Sequence, residues 1–101
     1  MSFIDVAKTD EIASGQMKSV KSAGKDLLIT NIDGKYYAIG SKCSHHGGDL
    51  SKGKLNGKII TCPLHGSKFD VTTGKLTGGP AQRDESVFEV KIEGNIIKVN
   101  I

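Results

Sequence analysis

The sequence has no tryptophan, only two prolines, two cysteines and five aromatic residues in 101. With so few rings and a net charge of only +3, it lacks the basic clusters with interleaved aromatics that mark a nucleic-acid surface. Long apolar runs are missing too. The longest, such as Leu27 to Ile29 or Ile59 to Ile60, fall far short of the roughly 18 residues needed to cross a bilayer, so no membrane anchor is expected. The opening MSFIDVAKTDE carries Asp5, Asp10 and Glu11 and no apolar stretch of seven. That excludes a secretory signal and leads us to expect a cytoplasmic protein. Thiols stay reduced there, and a cysteine pair is then more often a metal or redox site than a disulfide. No base, nucleophile or phosphate-binding loop is evident, and a chain this short leaves little room for one. The expectation is therefore a protein that is not itself an enzyme.

What is present favours strands. Eleven Ile, six Val and six Thr stand against five Ala, and β-branched side chains suit a pleated, half-buried surface. The length fits one all-β domain over 1–101. Phe3 to Ala7 reads as a strand, and Lys8 to Gly15 as a turn or a single helical turn capped by Thr9 or Asp10. Asp26 to Ile32 and Lys35 to Ile39 flank Asp33-Gly34, the signature of a hairpin with a type I′ turn. Residues 40 to 54 read as a loop rich in Gly, Ser, Lys and His. Asn56-Gly57 then turns into a strand ending at Cys62, because Pro63 cannot donate to a ladder. Ser67 to Val71 resumes a strand, Gly78-Gly79-Pro80 reads as irregular, and Val87 to Ile92 with Ile96 to Ile101 read as a terminal hairpin.

Both cysteines thus sit at loop edges, each followed by a histidine: Cys43-Ser44-His45 and Cys62-Pro63-Leu64-His65. A chelating pair a few residues apart places both donors on one turn of backbone, and two facing turns complete a four-ligand site. Zinc accepts such a Cys₂His₂ set, although zinc fingers usually group two cysteines and then two histidines. One Cys and one His per loop suits a two-iron cluster, with one iron held by two thiolates and the other by two imidazoles. His46, beside a ligand in a tight loop, is expected to point away.

The stretches Cys43-Ser44-His45-His46-Gly47-Gly48 and Cys62-Pro63-Leu64-His65-Gly66-Ser67-Lys68-Phe69-Asp70 resemble the Rieske [2Fe–2S] signature. The likeness continues through Leu50, Gly53, Thr73-Gly74 and Gly79-Pro80-Ala81 and covers nearly the whole chain. It implies a Rieske fold, in which antiparallel sheets form a base and a small inserted subdomain, here about 41–81, carries one [2Fe–2S] cluster on Cys43, His45, Cys62 and His65. It also implies supporting roles for the Ser67 hydroxyl and for Gly79-Pro80 as a rigid cover, while Gly47, Gly48 and Gly66 offer little-hindered backbone amides able to bond sulfur as backbone nests bind anions. Gly48 and Leu64 stand where respiratory and photosynthetic relatives carry a disulfide, and Phe69 stands where those relatives have a sulfur-bonding Tyr. The resemblance is therefore to the soluble branch. Such proteins carry single electrons from a reductase to a terminal oxygenase or another redox enzyme, through the iron on His45 and His65. Two alternatives are the small subunit of a nitrite-reductase-like complex and a zinc-stabilised binding module.

Charge is uneven along the chain. Residues 41–79 hold Lys42, Lys52, Lys54, Lys58, Lys68 and Lys75 against Asp49 and Asp70, an excess that makes either a basic docking surface or a solvated rim. Oxygenase carriers are often acidic, so this segment departs from their pattern.

Overall fold

At Asp33 and Gly34 the backbone takes φ of 52° and 88°, the two left-handed residues that a type I′ turn demands and that match the twist of paired strands. The turn joins Lys25–Ile32 to Lys35–Gly40, as the sequence implies. The structure is a computed structural model and describes residues 3–22, 24–41, 49–63, 66–79 and 83–101. Its strands in chain order are β1 (Phe3–Lys8), β2 (Met17–Ser22), β3 (Lys25–Ile32), β4 (Lys35–Gly40), β5 (Lys54–Asn56), β6 (Ile59–Thr61), β7 (Lys68–Asp70), β8 (Leu76–Gly78), β9 (Val87–Phe88), β10 (Val90–Glu93) and β11 (Ile96–Asn100). They form three antiparallel sheets in the orders β1-β11-β10, β2-β3-β4-β9 and β5-β6-β7-β8. Among the described residues there is no α-helix, and no helix long and apolar enough to cross a membrane.

The middle sheet is covered on both faces, which explains why β3 carries consecutive apolar residues instead of alternating ones. Leu27 and Ile29, with Ala38 of β4, pack on Ile12, Ile97 and Val99. Leu28 and Ile39 point the other way, into Leu50, Ile60, Cys62, Phe69 and Val71. Successive strand side chains face opposite ways, so a central strand covered on both faces buries consecutive residues, here Leu27, Leu28 and Ile29. Each buried Leu or Ile contributes on the order of 1.5–3 kcal/mol. The second of these cores joins the middle sheet to β5–β8, the part of the chain that contains Cys62.

The local pattern misplaces several elements. Residues 9–11 form a 3-10 turn capped by Lys8, not by Thr9 or Asp10, and its cap side chain accepts no hydrogen bond; instead Glu11 Oε1 accepts the Lys8 N–H at 2.8 Å. The expected loop 40–54 begins after Gly40, contains a 3-10 turn at Leu50–Lys52 and ends where β5 starts at Lys54. Leu76–Gly78, expected to run into irregular chain at Gly78, is a strand on β7. The stretch Val87 to Ile92 is split at Glu89: Val87 and Phe88 pair with Ile39 and Ala38 of the middle sheet, while β10 pairs with β11. Alternation identifies a strand but not the sheet it joins.

Asp70 organises the turn from β7 to β8. Its Oδ1 accepts from Thr72 N at 2.8 Å and from Thr72 Oγ1 at 2.5 Å, and Lys58 Nζ lies 3.4 Å from Oδ2. Burial pushes this carboxyl up, but the Thr72 hydrogen bonds and Lys58 outweigh it, so it ionises below the usual aspartate value. A depressed folded-state pKa means that the stabilisation is present above the unfolded value and is lost as pH falls through the lower folded one. Asp70→Ala is expected to cost about 1–2 kcal/mol at neutral pH, with the difference from the parent shrinking below about pH 4. Urea unfolding at several pH values checks this, and a pH-independent difference would refute it.

Candidate metal centre

Of the four expected ligands, Cys62 lies within the described residues; Cys43, His45 and His65 lie outside them, as do His46, Gly47 and Pro80. Among the described residues no group of three His, Cys, Asp or Glu could hold a metal. What the structure shows is how the ends of both loops are held.

The first loop leaves β4 at Ser41, 3% exposed. Ser41 N donates to Asp26 O at 3.0 Å, and Leu50 N donates back to Ser41 O at 2.8 Å, so chain entering and leaving 42–48 is tied at one point. Asp49 secures the returning limb, its Oδ1 accepting from Ser51 N at 3.0 Å and Ser51 Oγ at 2.6 Å. The signal for this is legible in hindsight, because Asp-x-Ser offers a side-chain acceptor to a backbone donor two residues on. Gly53 follows, against the strand that leads to the second loop: a Cβ there would sit 1.9 Å from Thr61 O.

The second loop joins β6 to β7 and is closed by its own backbone. Cys62 N donates to Ser67 O at 2.7 Å, and Gly66 N to Cys62 O at 3.1 Å. Gly66 has φ of 77° and Gly79 of 89°, a region that disfavours side chains. A Cβ on Gly79 would lie 2.4 Å from Ser67 Cα and 2.8 Å from Gly66 O; Gly79 therefore lies directly against the loop backbone. Cys62 is 2% exposed and forms no disulfide, and Ser67 is fully buried. Phe69, which stands where the respiratory and photosynthetic relatives have a tyrosine, is wholly buried and belongs to the same core as Cys62 and Leu50. Beyond Pro63 lies a groove of about 400 Å³ lined by Lys52, Gly53, Lys54, Thr61, Cys62, Pro63 and Lys68.

A buried free thiol is a soft donor, shielded here by Leu50, Ile60 and Phe69 and placed at the start of a loop whose two ends are tied together by backbone hydrogen bonds. Such a donor suits thiolate-ligated iron or zinc, and apolar surroundings of this kind help to set the potential of an iron–sulfur centre.

Comparison with known proteins agrees with this fit. The Rieske [2Fe-2S] domain family matches residues 2–95. The ferredoxin component of the naphthalene 1,2-dioxygenase/salicylate 5-hydroxylase systems of a Ralstonia species is 40% identical over 91 residues, covering 90% of this chain and 88% of that protein. The ferredoxin of carbazole 1,9a-dioxygenase from Nocardioides aromaticivorans IC177 superposes with a TM-score of 0.92 at 29% identity, covering 98% of this chain and 97% of that one. A chain in the complex of reduced oxygenase and oxidized ferredoxin of carbazole 1,9a-dioxygenase gives a TM-score of 0.91 at 30% identity, covering 96% of this chain and 91% of that one.

Proposed function

Because the chain belongs to the Rieske [2Fe–2S] domain family, we propose that it carries single electrons from a reductase to the terminal oxygenase of a ring-hydroxylating dioxygenase system in the cytoplasm. The family's cofactor is the [2Fe–2S] cluster, which supplies a reversible one-electron store. We assign its ligands to Cys43, His45, Cys62 and His65, and its supporting groups to Ser67, to the backbone of Gly47 and Gly66, and to Gly79-Pro80. Residues 41–81 are the cluster-binding part of the single domain 1–101.

The observation that carries this reading is the loop at Cys62: a buried thiol and a buried serine bracketed by two backbone hydrogen bonds. Its chemistry is binding and shielding. The core around Leu50 and Phe69 excludes water from the Cys62 side, so an electron leaves or arrives on the loop side. Relatives named as ferredoxin components belong to dioxygenase systems, which supports the oxygenase as acceptor. The cytoplasm as compartment is supported by its reducing conditions, which keep cysteine thiols available for metal.

The test is purification without air, followed by visible absorption, metal and sulfide assay, and electron paramagnetic resonance after reduction. Two iron and two sulfide per chain with a one-electron signal are expected, in keeping with a [2Fe–2S] cluster. A colourless protein holding one zinc and no sulfide would refute the reading.

A further inference from the structure

The sheet β5–β8 has two faces of opposite character. Leu55, Ile60, Phe69 and Leu76 form its inner side, in or against the core. On the outer side the register aligns Lys54 with Thr61, and Thr61 with Lys68, in one row. Two strand spacings put the Lys54 and Lys68 backbones about 10 Å apart. Lys52 joins them from the 3-10 turn, and all three are exposed. The row lies at the end of the sheet where β6 passes into Cys62 and Pro63, and all three lysines line the same groove beside that cysteine. Across Thr61 and Lys68 it continues into a second depression of about 430 Å³, lined also by Asn56, Ile59 and Thr77.

Elsewhere several lysines are neutralised: Lys18 by Glu11, Lys91 by Glu93, Lys98 by Asp5 and Glu93, and Lys58 by Asp70 at the opposite end of this same sheet. Among the described residues Lys52, Lys54 and Lys68 have no carboxylate partner. Three like charges held within about one Debye length repel one another in the free protein, and an approaching anion relieves that repulsion. Exposed charge of one sign beside a buried site raises the encounter rate with the opposite sign. Among the described residues no aromatic side chain lines the groove, so none of these would stack a base, which favours a protein surface over nucleic acid.

We propose that the groove of Lys52, Lys54 and Lys68 beside Cys62 and Pro63 is the docking surface for a redox partner that presents a patch of Asp and Glu carboxylates. This inference rests on the electron-carrier reading above and adds the charge of the partner's face.

The experiment compares the intact holoprotein with Lys52→Gln/Lys54→Gln/Lys68→Gln, and with Lys8→Gln/Lys21→Gln/Lys35→Gln, which removes the same charge outside the groove. Binding of poly-L-glutamate by titration calorimetry at low ionic strength is the first readout. The second is the rate at which ferricyanide, an anion, and hexaammineruthenium(III), a cation, oxidise the reduced protein. The groove variant is expected to bind poly-L-glutamate about tenfold more weakly, to react about tenfold more slowly with ferricyanide and faster with the ruthenium complex, and to lose most of its salt dependence, at unchanged iron content and midpoint potential. Equal effects in the two triple variants would reduce the result to net charge and overturn the proposal. So would tighter groove-dependent binding of a single-stranded oligonucleotide than of poly-L-glutamate. A parent protein without iron and sulfide fails the carrier reading and this inference with it, whereas a coloured protein whose groove variant behaves like the parent fails this inference alone.

Discussion

Replacing any one of Cys43, His45, Cys62 or His65 by alanine is expected to abolish iron binding and colour, while His46→Ala keeps both. In the proposed site two donors would come from each loop, and the loss of one would leave an iron open to water and the cluster prone to hydrolysis. The effect reaches stability as well, because metal binding is coupled to folding. A cluster that cross-links residues 43 and 62 closes a loop of about twenty residues, worth about 3 kcal/mol in the chain-entropy view, or roughly 15 °C in Tm for a domain this size. Cys62→Ala carries a further small cost, since its side chain packs in the core with Leu50 and Phe69. Iron analysis and thermal unfolding of the five variants check the assignment. A His46→Ala protein without cluster, or a His65→Ala protein with one, would overturn it.

The second large effect is expected at Gly79, far from any ligand in sequence. A Cβ there meets Ser67 Cα at 2.4 Å, Ser67 N at 2.8 Å and Gly66 O at 2.8 Å. These are backbone atoms of the Cys62 loop and cannot swing aside. Its φ of 89° adds about 1–2 kcal/mol of strain for any side chain. Gly79→Ala should therefore cost about 3 kcal/mol or more and lower the iron content by displacing Ser67 and the loop it closes. Gly94→Ala is the control. Its φ of 59° is also left-handed, but a Cβ there meets nothing within 4 Å, so a cost of about 1 kcal/mol with full iron is expected. Identical melting and iron content in the two variants would show that the cover over the loop is not rigid.

These two results depend on different kinds of information. The proposed ligand residues are legible in the linear order because a chelating pair must sit within a few residues, so C-x-H and C-x2-H are local patterns. The same holds for Asp33-Gly34, whose left-handed pair follows from the residue types alone, and for the all-β class, which follows from β-branched composition. Gly79 was suggested by resemblance, but the reason only glycine fits is a contact with residues twelve and more positions away.

By itself, the sequence determined the all-β class and the hairpin turns and pointed to the paired Cys/His loops proposed as ligands, because each depends on residues within one turn of chain. Tertiary structure decided the rest. It placed Val87–Phe88 on β4 and not in the terminal hairpin, since alternation fits either sheet and only the packing partner distinguishes them. It made Leu76–Gly78 a strand because β7 offered it an edge. It also divided the lysines of the middle segment, pairing Lys58 with Asp70 while gathering Lys52, Lys54 and Lys68 around one groove. Charges separated by fourteen or more positions become neighbours only when strand register aligns them, and register is set by which face of each strand the core buries.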